Sequence, residues 1–366
     1  MSFLYNTSVL KTGGIIPLLY LAKYIRGLTG VIPPTPVDVS LKVTERCNSC
    51  CITCNIWREQ KNKPELTLDD FEHIFNQFKS VKMKNIGFYG GEALLREDIG
   101  ELARKAKDIM PESRVQVTTN GLLLNQRAKD LVDGGVDMVS ISLDGIGEVN
   151  DKIRGVPGYY RKVIEGIEEL RRVDTGNKIL INMGATLVSL NIHQVPQLID
   201  LARELGISWS FNLFDTSAYH FRDTDDPDSL KQIEENVIDE TIEYMWQERK
   251  KYPKTMVGID PVGLEFAREY MKGKEPFFHC ILGYLRIYMD SYMNVYSGCW
   301  ALSPVGNLKE QTLKDILKSS LYKERLRAMY DLKCPYCTCG YLINLLVNSP
   351  YAGIKYILRN VSLLKS

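Results

Sequence analysis

Cysteine is the residue type in this chain whose number and spacing most directly suggest chemistry. The nine cysteines fall in two groups, four within residues 47–54 and five within residues 280–339. Adjacent Cys50 and Cys51 suit no ordinary disulfide, and tight groups of thiols in a large α/β chain are typical of metal sites in a reducing compartment. The spacing therefore predicts two metal centres and a cytoplasmic location.

The first group contains the pattern C-x3-C-x2-C, formed by Cys47, Cys51 and Cys54. Three thiolates on one short loop can hold three corners of an iron–sulfur cubane, which normally takes four thiolates. The fourth iron would then remain open to bind a small molecule. A zinc knuckle that also uses Cys50 is the alternative, but two adjacent cysteines do not easily both reach one small tetrahedral ion. The loop therefore favours an iron–sulfur cluster.

The second group offers enough thiols for a fully ligated metal site. A segment with the pattern of a β-hairpin, turning near residues 290–294, separates its first two cysteines. A structural zinc site is the alternative, with Cys339 as a spare ligand. Cys50 and Cys339 could instead be small buried side chains. The expected ligands of the second site are Cys280, Cys299, Cys334 and Cys337.

Short β-like runs alternate with helical patterns from about residue 37, which favours a parallel sheet. Six strands are predicted, fewer than the eight of a closed TIM barrel. The expected fold class is α/β, a partial (β/α)6 TIM-like barrel with a small C-terminal α+β domain. The predicted strands are residues 37–43, 84–90, 114–119, 137–144, 178–188 and 208–214. The predicted helices are residues 68–78, 99–109, 163–173, 195–205 and 230–252.

Polar residues and glycines gather where the predicted strands end. In α/β folds, the carboxyl ends of parallel strands meet at one edge and form the binding site. These positions therefore predict a shared active-site mouth. They are Thr44, Glu45, Arg46 and Cys47 after the first strand, Gly90, Gly91 and Glu92 after the second, Asn120 and Gly121 after the third, Asp144 and Gly145 after the fourth, and Asp215 after the sixth.

The cysteine loop and these strand ends together resemble the radical S-adenosylmethionine (SAM) superfamily over residues 37–188. In that family, a C-x3-C-x2-C loop follows the first strand and a Gly-Gly-Glu motif follows the second. The resemblance implies that Gly90, Gly91 and Glu92 engage the amino group of SAM. Glycine suits this role because the ligand must approach the backbone closely.

The resemblance extends to the third and fourth strands. Asn120 matches the turn after the third strand, and Ser142 with Asp144 matches the segment that faces the ribose and carboxylate of SAM. Arg154 follows at the family's usual distance and is expected to pair with the SAM carboxylate.

One position departs from the family pattern. Thr53 stands just before the last cysteine, where an apolar or aromatic residue usually packs against the adenine of SAM. The adenine contact is therefore expected from Ile56 or Trp57 instead.

The resemblance implies a reaction and its cofactors. A 4Fe–4S cluster reductively cleaves SAM, and the resulting 5′-deoxyadenosyl radical removes a hydrogen atom from the substrate. A low-potential electron donor such as ferredoxin or flavodoxin is the expected partner. The C-terminal cysteines resemble the auxiliary-cluster extension of the family, in its twitch or SPASM form, which implies a second 4Fe–4S cluster.

Four segments follow from these assignments. Residues 1–36 form an N-terminal amphipathic segment, residues 37–254 the partial barrel, residues 255–340 the auxiliary-cluster domain, and residues 341–366 an apolar, basic tail. The two ends are able to lie on a membrane surface or to pack on the protein. No uninterrupted run of 18 apolar residues occurs, so a spanning helix is not expected.

The hypotheses that remain about function differ in the substrate and in the class of protein. The near-zero net charge of +1 argues against nucleic acid as a partner. A radical SAM enzyme would act on a small molecule, on a lipid or lipid-linked sugar at the inner face of the membrane, or on a peptide. The alternative from another class is a zinc-stabilised, non-catalytic binding protein. Candidate substrate contacts are Asn212, Asp215, His220, His279 and Arg286.

Overall fold

The computed structural model describes residues 35–59, 64–218, 224–256, 258–274, 278–334, 337–349, 351, 353 and 355. Its strands are β1 (Asp38–Thr44), β2 (Asn85–Gly90), β3 (Arg114–Thr119), β4 (Met138–Ser142), β5 (Leu180–Leu187), β6 (Ser208–Leu213), β7 (Arg286–Met289), β8 (Asn294–Tyr296) and β9 (Gly306–Asn307). The first six match the six predicted strands, with ends that differ by at most two residues.

Helices connect the strands of the barrel. They are α1 (Leu68–Ser80), α2 (Ile99–Ile109), α3 (Leu124–Asp133), α4 (Glu148–Arg154), α5 (Tyr159–Val173) and α6 (Val195–Glu204). The later helices are α7 (Pro227–Lys231), α8 (Glu235–Lys251), α9 (Pro261–Met271), α10 (Leu282–Leu285), α11 (Leu313–Lys318), α12 (Ser320–Tyr330) and α13 (Tyr341–Asn348). Among the helices of the barrel, the predictions lacked α3 and α4, and they also lacked α9 and α10. The single helix predicted over residues 230–252 is two helices, α7 and α8.

All nine strands form one open sheet in the order β6-β5-β4-β3-β2-β1-β7-β8-β9. Strands β1 to β6 are parallel to their neighbours, as the alternation of strands and helices predicts. Strand β7 pairs in parallel with the free edge of β1, and β7 to β9 continue as antiparallel pairs. The sheet therefore crosses the domain boundary predicted at residues 254–255.

Apolar and polar side chains alternate along β1, so that one face of the strand meets the hydrophobic core and the other faces the interior of the barrel. Val39, Leu41 and Val43 are buried in the hydrophobic core, and the intervening Ser40 lines a central cavity. Such a period of two places successive side chains on opposite faces of a strand. The core side is closed by aromatic packing between helix and sheet, with the rings of Phe75 in α1 and Phe88 in β2 centred 6.1 Å apart.

The beginning of the C-terminal tail packs into the protein. Tyr341, Leu342 and Leu346 of α13 are buried, and the Tyr341 ring stacks on Phe266 of α9 at 4.8 Å. For this helix the structure agrees with the second alternative, packing on the protein, because Tyr341, Leu342 and Leu346 already have partners inside the protein. Most of the remaining tail and residues 1–34 lie outside the described residues. Within the described part of the chain, no helix is both long and apolar enough to cross a membrane.

We expect Leu346→Ala to destabilise the protein by about 2–5 kcal/mol, because it removes a buried side chain and leaves a cavity. Leu321→Ala in α12 is the matched control, since Leu321 is exposed, and its effect should stay within about 0.5 kcal/mol. Thermal unfolding of the purified apoprotein measures both. Equal shifts of the unfolding midpoint would show that α13 is not part of the core.

Candidate active site

The two cysteine groups face the same cavity. This cavity, of about 280 Å³, lies at the carboxyl ends of the barrel strands, where the sequence predicted a shared mouth. Three cysteines of the first group and all five of the second line it: Cys47, Cys51, Cys54, Cys280, Cys299, Cys334, Cys337 and Cys339. The convergence joins parts of the chain that are more than two hundred residues apart.

The Gly-Gly-Glu segment fixes the start of the first cysteine loop. The backbone N–H of Gly91 donates to the carbonyl of Thr44 at 3.1 Å, and that of Glu92 donates to the carbonyl of Arg46 at 2.7 Å. A Cβ atom on Gly91 would lie 2.3 Å from the Arg46 carbonyl oxygen and 2.9 Å from Cβ of Cys47. Glycine is therefore required here by the backbone of the loop itself, a reason that the sequence did not reveal.

Helix α4 holds the other side of the loop. The N–H of Ile52 donates to the carbonyl of Ile153 at 2.9 Å, and the Ser49 hydroxyl donates to the carbonyl of Arg154 at 2.8 Å. Within the loop, the indole N–H of Trp57 donates to the carbonyl of Cys51 at 3.2 Å. The loop is thus clamped between the end of β2 and the end of α4.

Cys50 is separated from the other three thiols of its group. Its side chain is exposed, and its thiol donates to the carbonyl of Gly155 at 3.0 Å. Gly155 has a φ of +70°, and a Cβ atom there would lie 2.8 Å from the Cys50 sulfur. The loop therefore presents Cys47, Cys51 and Cys54 to the cavity, which is the donor set expected for a cluster with one open iron.

Burial raises the pKa of Cys47 to about 12 and that of Cys54 to about 11, and the neighbouring thiols add to both shifts. The free thiols are therefore protonated at neutral pH. A thiolate-bound cluster must displace these protons, so its binding releases them to solvent. Within the described part of the chain, no three Cys, His, Asp or Glu side chains are arranged to hold a single metal ion. A cubane differs from such a site because each of its thiolates binds a different iron.

Glu92 lies in the wall of the cavity, and its carboxylate accepts three hydrogen bonds from the protein. It accepts hydrogen bonds from the hydroxyl of Thr119 at 2.6 Å, from the N–H of Asn120 at 2.5 Å and from the N–H of Leu94 at 2.9 Å. The amide of Asn120 donates in turn to the side chain of Asn48 in the cysteine loop at 2.7 Å. Burial raises the pKa of Glu92, and these hydrogen bonds oppose the shift.

Asp144 does not line the cavity, although the resemblance implied a direct contact with SAM. It is completely buried, and its carboxylate lies 2.7 Å from Nε of Arg154. The N–H of Thr186 also donates to it at 2.6 Å. Burial raises the pKa of Asp144, and Arg154 opposes this rise. The structure thus places Arg154 and Ser142 in the wall and Asp144 behind Arg154.

Ile56 and Trp57, from which the adenine contact is expected, line the cavity, and so does Thr53. Of the candidate substrate contacts, Asn212 and Arg286 also line it. Asp215 is not among the lining residues, and its carboxylate accepts a hydrogen bond from the N–H of Thr338, which stands between Cys337 and Cys339.

The last two candidates have no described place in the cavity. His279 stacks on Tyr330 with ring centres 4.4 Å apart, and its Nδ1–H donates a hydrogen bond to the Tyr330 carbonyl at 2.9 Å. His220 lies outside the described residues.

Four thiols of the second group are close enough to influence one another. Burial raises the pKa of Cys280, and the nearby Cys337, Cys299 and Cys334 raise it further. Burial likewise raises the pKa of Cys334 to about 12, with contributions from Cys299 and Cys337. The fifth cysteine, Cys339, is hydrogen-bonded to Cys337, which together with burial raises its pKa.

Sequence reasoning missed an aromatic wall of the cavity. Tyr288 stacks on Trp300 at 5.1 Å with nearly parallel rings, and Tyr89 meets Trp300 edge-on at 6.2 Å. All three side chains line the cavity. The available signals were the position of Trp300 directly after Cys299 and that of Tyr89 directly before Gly90.

Comparison with known proteins identifies the class. The sequence model of the Radical SAM superfamily matches residues 41–210. A probable GTP 3′,8-cyclase of Methanocella arvoryzae is 31% identical over 218 residues, which cover 59% of this chain and 69% of the cyclase. The AdoMet-dependent heme synthase of Methanosarcina barkeri is 33% identical over 175 residues, and the match spans 47% of this chain and 48% of the synthase.

Solved structures share the fold. Streptococcus suis SuiB bound to precursor peptide SuiA superposes with a TM-score of 0.65 at 16% identity, covering 86% of this chain and 72% of SuiB. The enzyme anSMEcpe with bound AdoMet gives a TM-score of 0.61 at 16% identity, covering 85% of this chain and 88% of that one. Both likenesses concern architecture, and both support the partial-barrel prediction.

The chain therefore belongs to the radical SAM superfamily. Its members are enzymes, and membership implies a 4Fe–4S cluster and SAM as cofactors. The hypothesis of a non-catalytic, zinc-stabilised binding protein is wrong. The family match ends at residue 210, so it does not reach the second cysteine group.

The adjacent Cys50 and Cys51 provide a matched pair of variants. After anaerobic reconstitution, we expect Cys50→Ser to keep its iron content and its formation of 5′-deoxyadenosine. Cys51→Ala should lose the iron of the first cluster and nearly all SAM cleavage, because Cys51 lines the cavity and Cys50 does not. Iron analysis and chromatography of the nucleoside measure both effects. Equal losses in the two variants would contradict this division of roles.

Proposed function

We propose that Cys47, Cys51 and Cys54 hold the SAM-binding 4Fe–4S cluster and that the second cysteine group holds an auxiliary 4Fe–4S cluster. The observation that carries the proposal is the single cavity lined by both groups. When bound, the first cluster supplies the electron that splits SAM into methionine and the 5′-deoxyadenosyl radical. A low-potential ferredoxin or flavodoxin in the cytoplasm is the proposed electron donor.

The residues of this chain provide placement and shielding. In the proposal, Gly90, Gly91 and Glu92 take the amino group of SAM, and Arg154 pairs with its carboxylate. Asp144 acts indirectly, because its ion pair orients the Arg154 guanidinium.

Three neighbouring positions complete the proposed SAM site. Asn120 and Ser142 form its wall on the side of the third and fourth strands, and Trp57 packs on the adenine. Trp57 is suited to this contact because it lines the cavity and its indole N–H is anchored to the loop.

The proposed ligands of the auxiliary cluster are Cys280, Cys299, Cys334 and Cys337. These four thiols line the cavity, and burial raises the pKa of Cys280 and of Cys334 with contributions from the other members of the set. Cys339 also lines the cavity and is hydrogen-bonded to Cys337, and in the proposal it is the spare thiol. Four thiolates would leave no open iron, so this cluster would accept an electron or stabilise the fold rather than bind substrate. We assign it to the twitch or SPASM type of extension, built on the hairpin of β7 and β8.

The charges of the cavity indicate the class of substrate. Among the described residues that line it, the cationic side chains are Arg154 and Arg286, and each is paired with a buried carboxylate. The strands contribute neutral hydroxyl and amide groups, from Ser40, Gln116, Thr118, Thr186 and Asn212. Such a surface suits an uncharged reacting group better than a triphosphate or a polycarboxylate.

We therefore propose a peptide as the substrate. The PqqA peptide cyclase of Bradyrhizobium diazoefficiens is 28% identical over 172 residues, which cover 46% of this chain and 44% of the cyclase. SuiB, which shares the fold, has been crystallised with its precursor peptide. A lipid or lipid-linked sugar is the second candidate, and it rests on the amphipathic pattern of residues 15–28.

The test of this function is anaerobic incubation of the reconstituted enzyme with SAM, reductant and fractions of a cell extract. We expect the peptide fraction to raise 5′-deoxyadenosine above the level without substrate and to yield a peptide of altered mass. Stimulation by the lipid extract alone would favour the second candidate and overturn the first. A chain that never cleaves SAM in any fraction, despite a loaded cluster, would overturn the proposed reaction.

The auxiliary cluster has its own test. We expect about eight irons in the reconstituted wild-type chain and about four in Cys280→Ala, because each 4Fe–4S cluster contributes four. Cys280→Ala should still cleave SAM with a chemical reductant, since the first loop is unchanged. Cys50→Ser is the control and should keep about eight irons. A wild-type chain with about four irons and one zinc would show that the second site is a zinc site.

A further inference from the structure

The cysteines of the second group lie on three separate stretches of chain. Cys280 precedes α10, Cys299 follows the β7–β8 hairpin, and residues 334–339 lie between α12 and α13. A cluster needs these stretches at a defined spacing before it binds, because a loosely held site loses affinity. We call these the first, second and third stretches in chain order. Two buried polar side chains outside the cysteine set connect the first and third stretches with each other and with the barrel.

Asp215 connects the barrel to the third stretch. It lies two residues beyond the end of β6 and is 3% exposed. One carboxylate oxygen accepts from the N–H of Thr338 at 2.5 Å, and the other accepts from the N–H of Ser217 at 2.9 Å. Thr338 stands between Cys337 and Cys339, so this charge-assisted bond fixes the backbone that carries both thiols.

Asn344 connects the first stretch to the third. It is completely buried in α13, and its carbonyl oxygen accepts from the N–H of Ile281 at 2.8 Å. Ile281 directly follows Cys280. The amide group of Asn344 donates to the carbonyl of Cys339 at 3.4 Å. One side chain thus holds the backbone beside Cys280 and the backbone of Cys339 at a set separation.

Close packing reinforces this connection. Gly340 has a φ of +64° and begins α13, and a Cβ atom there would lie 2.6 Å from the Leu282 side chain. The N–H of Tyr341 also donates to the carbonyl of Thr338 at 3.1 Å. The backbone after Cys339 is therefore pressed against the helix that follows Cys280, and Asn344 satisfies the polar groups buried between them.

We propose that Asp215 and Asn344 are positioning residues of the second cysteine site, which set the spacing of its ligands and connect it to the barrel. The proposal rests on the auxiliary cluster proposed above. It reassigns Asp215, which the sequence had placed among the substrate contacts. It also gives α13 a role, because the buried face of this helix carries Asn344.

The test compares Asp215→Asn and Asn344→Leu with the wild-type chain and with Asp174→Asn. Asp174 is the matched control, because it is a buried carboxylate that accepts from the backbone N–H groups of Lys178 and Ile179, away from the cysteines. Each reconstituted protein is analysed for iron per chain, for the electron paramagnetic resonance signal and midpoint potential of the second cluster, and for SAM cleavage.

We expect both variants to lose at least half of the iron of the second cluster. The second cluster that remains in Asp215→Asn should show an altered resonance signal and a higher midpoint potential, because a neighbouring negative charge has been removed. SAM cleavage by the first cluster should persist in both, and Asp174→Asn should resemble the wild type in its iron content and spectra.

The outcomes separate this inference from the function on which it rests. A wild-type chain with only the first cluster overturns the auxiliary cluster, and this inference with it. A wild-type chain with both clusters, beside variants with unchanged iron, signal and potential, overturns the inference alone. Loss of both clusters in both variants also overturns it, because a positioning role at the second site leaves the first loop intact.

Discussion

The parallel pairing of β7 with β1 is the constraint on which the site depends. Asp38 of β1 lies opposite Arg286 of β7 in the register of the sheet, and their side chains form a buried ion pair at 3.5 Å. Strand β1 runs into the first cysteine loop, and β7 lies between the first two cysteines of the second group. Because parallel strands end at the same edge, this pairing brings both groups to one cavity. Without it, the two cysteine groups would not line one cavity.

Local patterns account for what the sequence could predict. The alternation of apolar residues marks the six barrel strands, and the spacing of Cys47, Cys51 and Cys54 marks the first loop, because both signals arise within a few residues. The pairing of β7 with β1 joins segments about 250 residues apart, and no local pattern encodes it. The exclusion of Cys50 likewise depends on Gly155, which comes close only after folding.

The C-terminal tail shows a further limit of periodicity. A helix with one apolar face suits a membrane surface and a protein core equally well, because both remove the same side chains from water. In α13 the apolar face packs on the protein because α9 offers it an aromatic partner, with Phe266 stacked on Tyr341. The polar residue on the buried part of the helix, Asn344, is the sign that distinguishes the two cases. A buried amide with protein backbone partners belongs in a folded interior, where its hydrogen bonds are satisfied.

Two arginines line the cavity, and each is neutralised by a buried carboxylate. A lone guanidinium removed from water would carry a large desolvation penalty, whereas a paired one is tolerated and held in a fixed orientation. Arg154 with Asp144 and Arg286 with Asp38 are such pairs, one near each cysteine group. Fixed dipoles of this kind act more strongly in a cavity shielded from water than mobile surface charges do. In the proposed complex, the two arginines therefore contribute orientation rather than net attraction, and Glu92 is the carboxylate of the wall that has no ion-pair partner among the described residues.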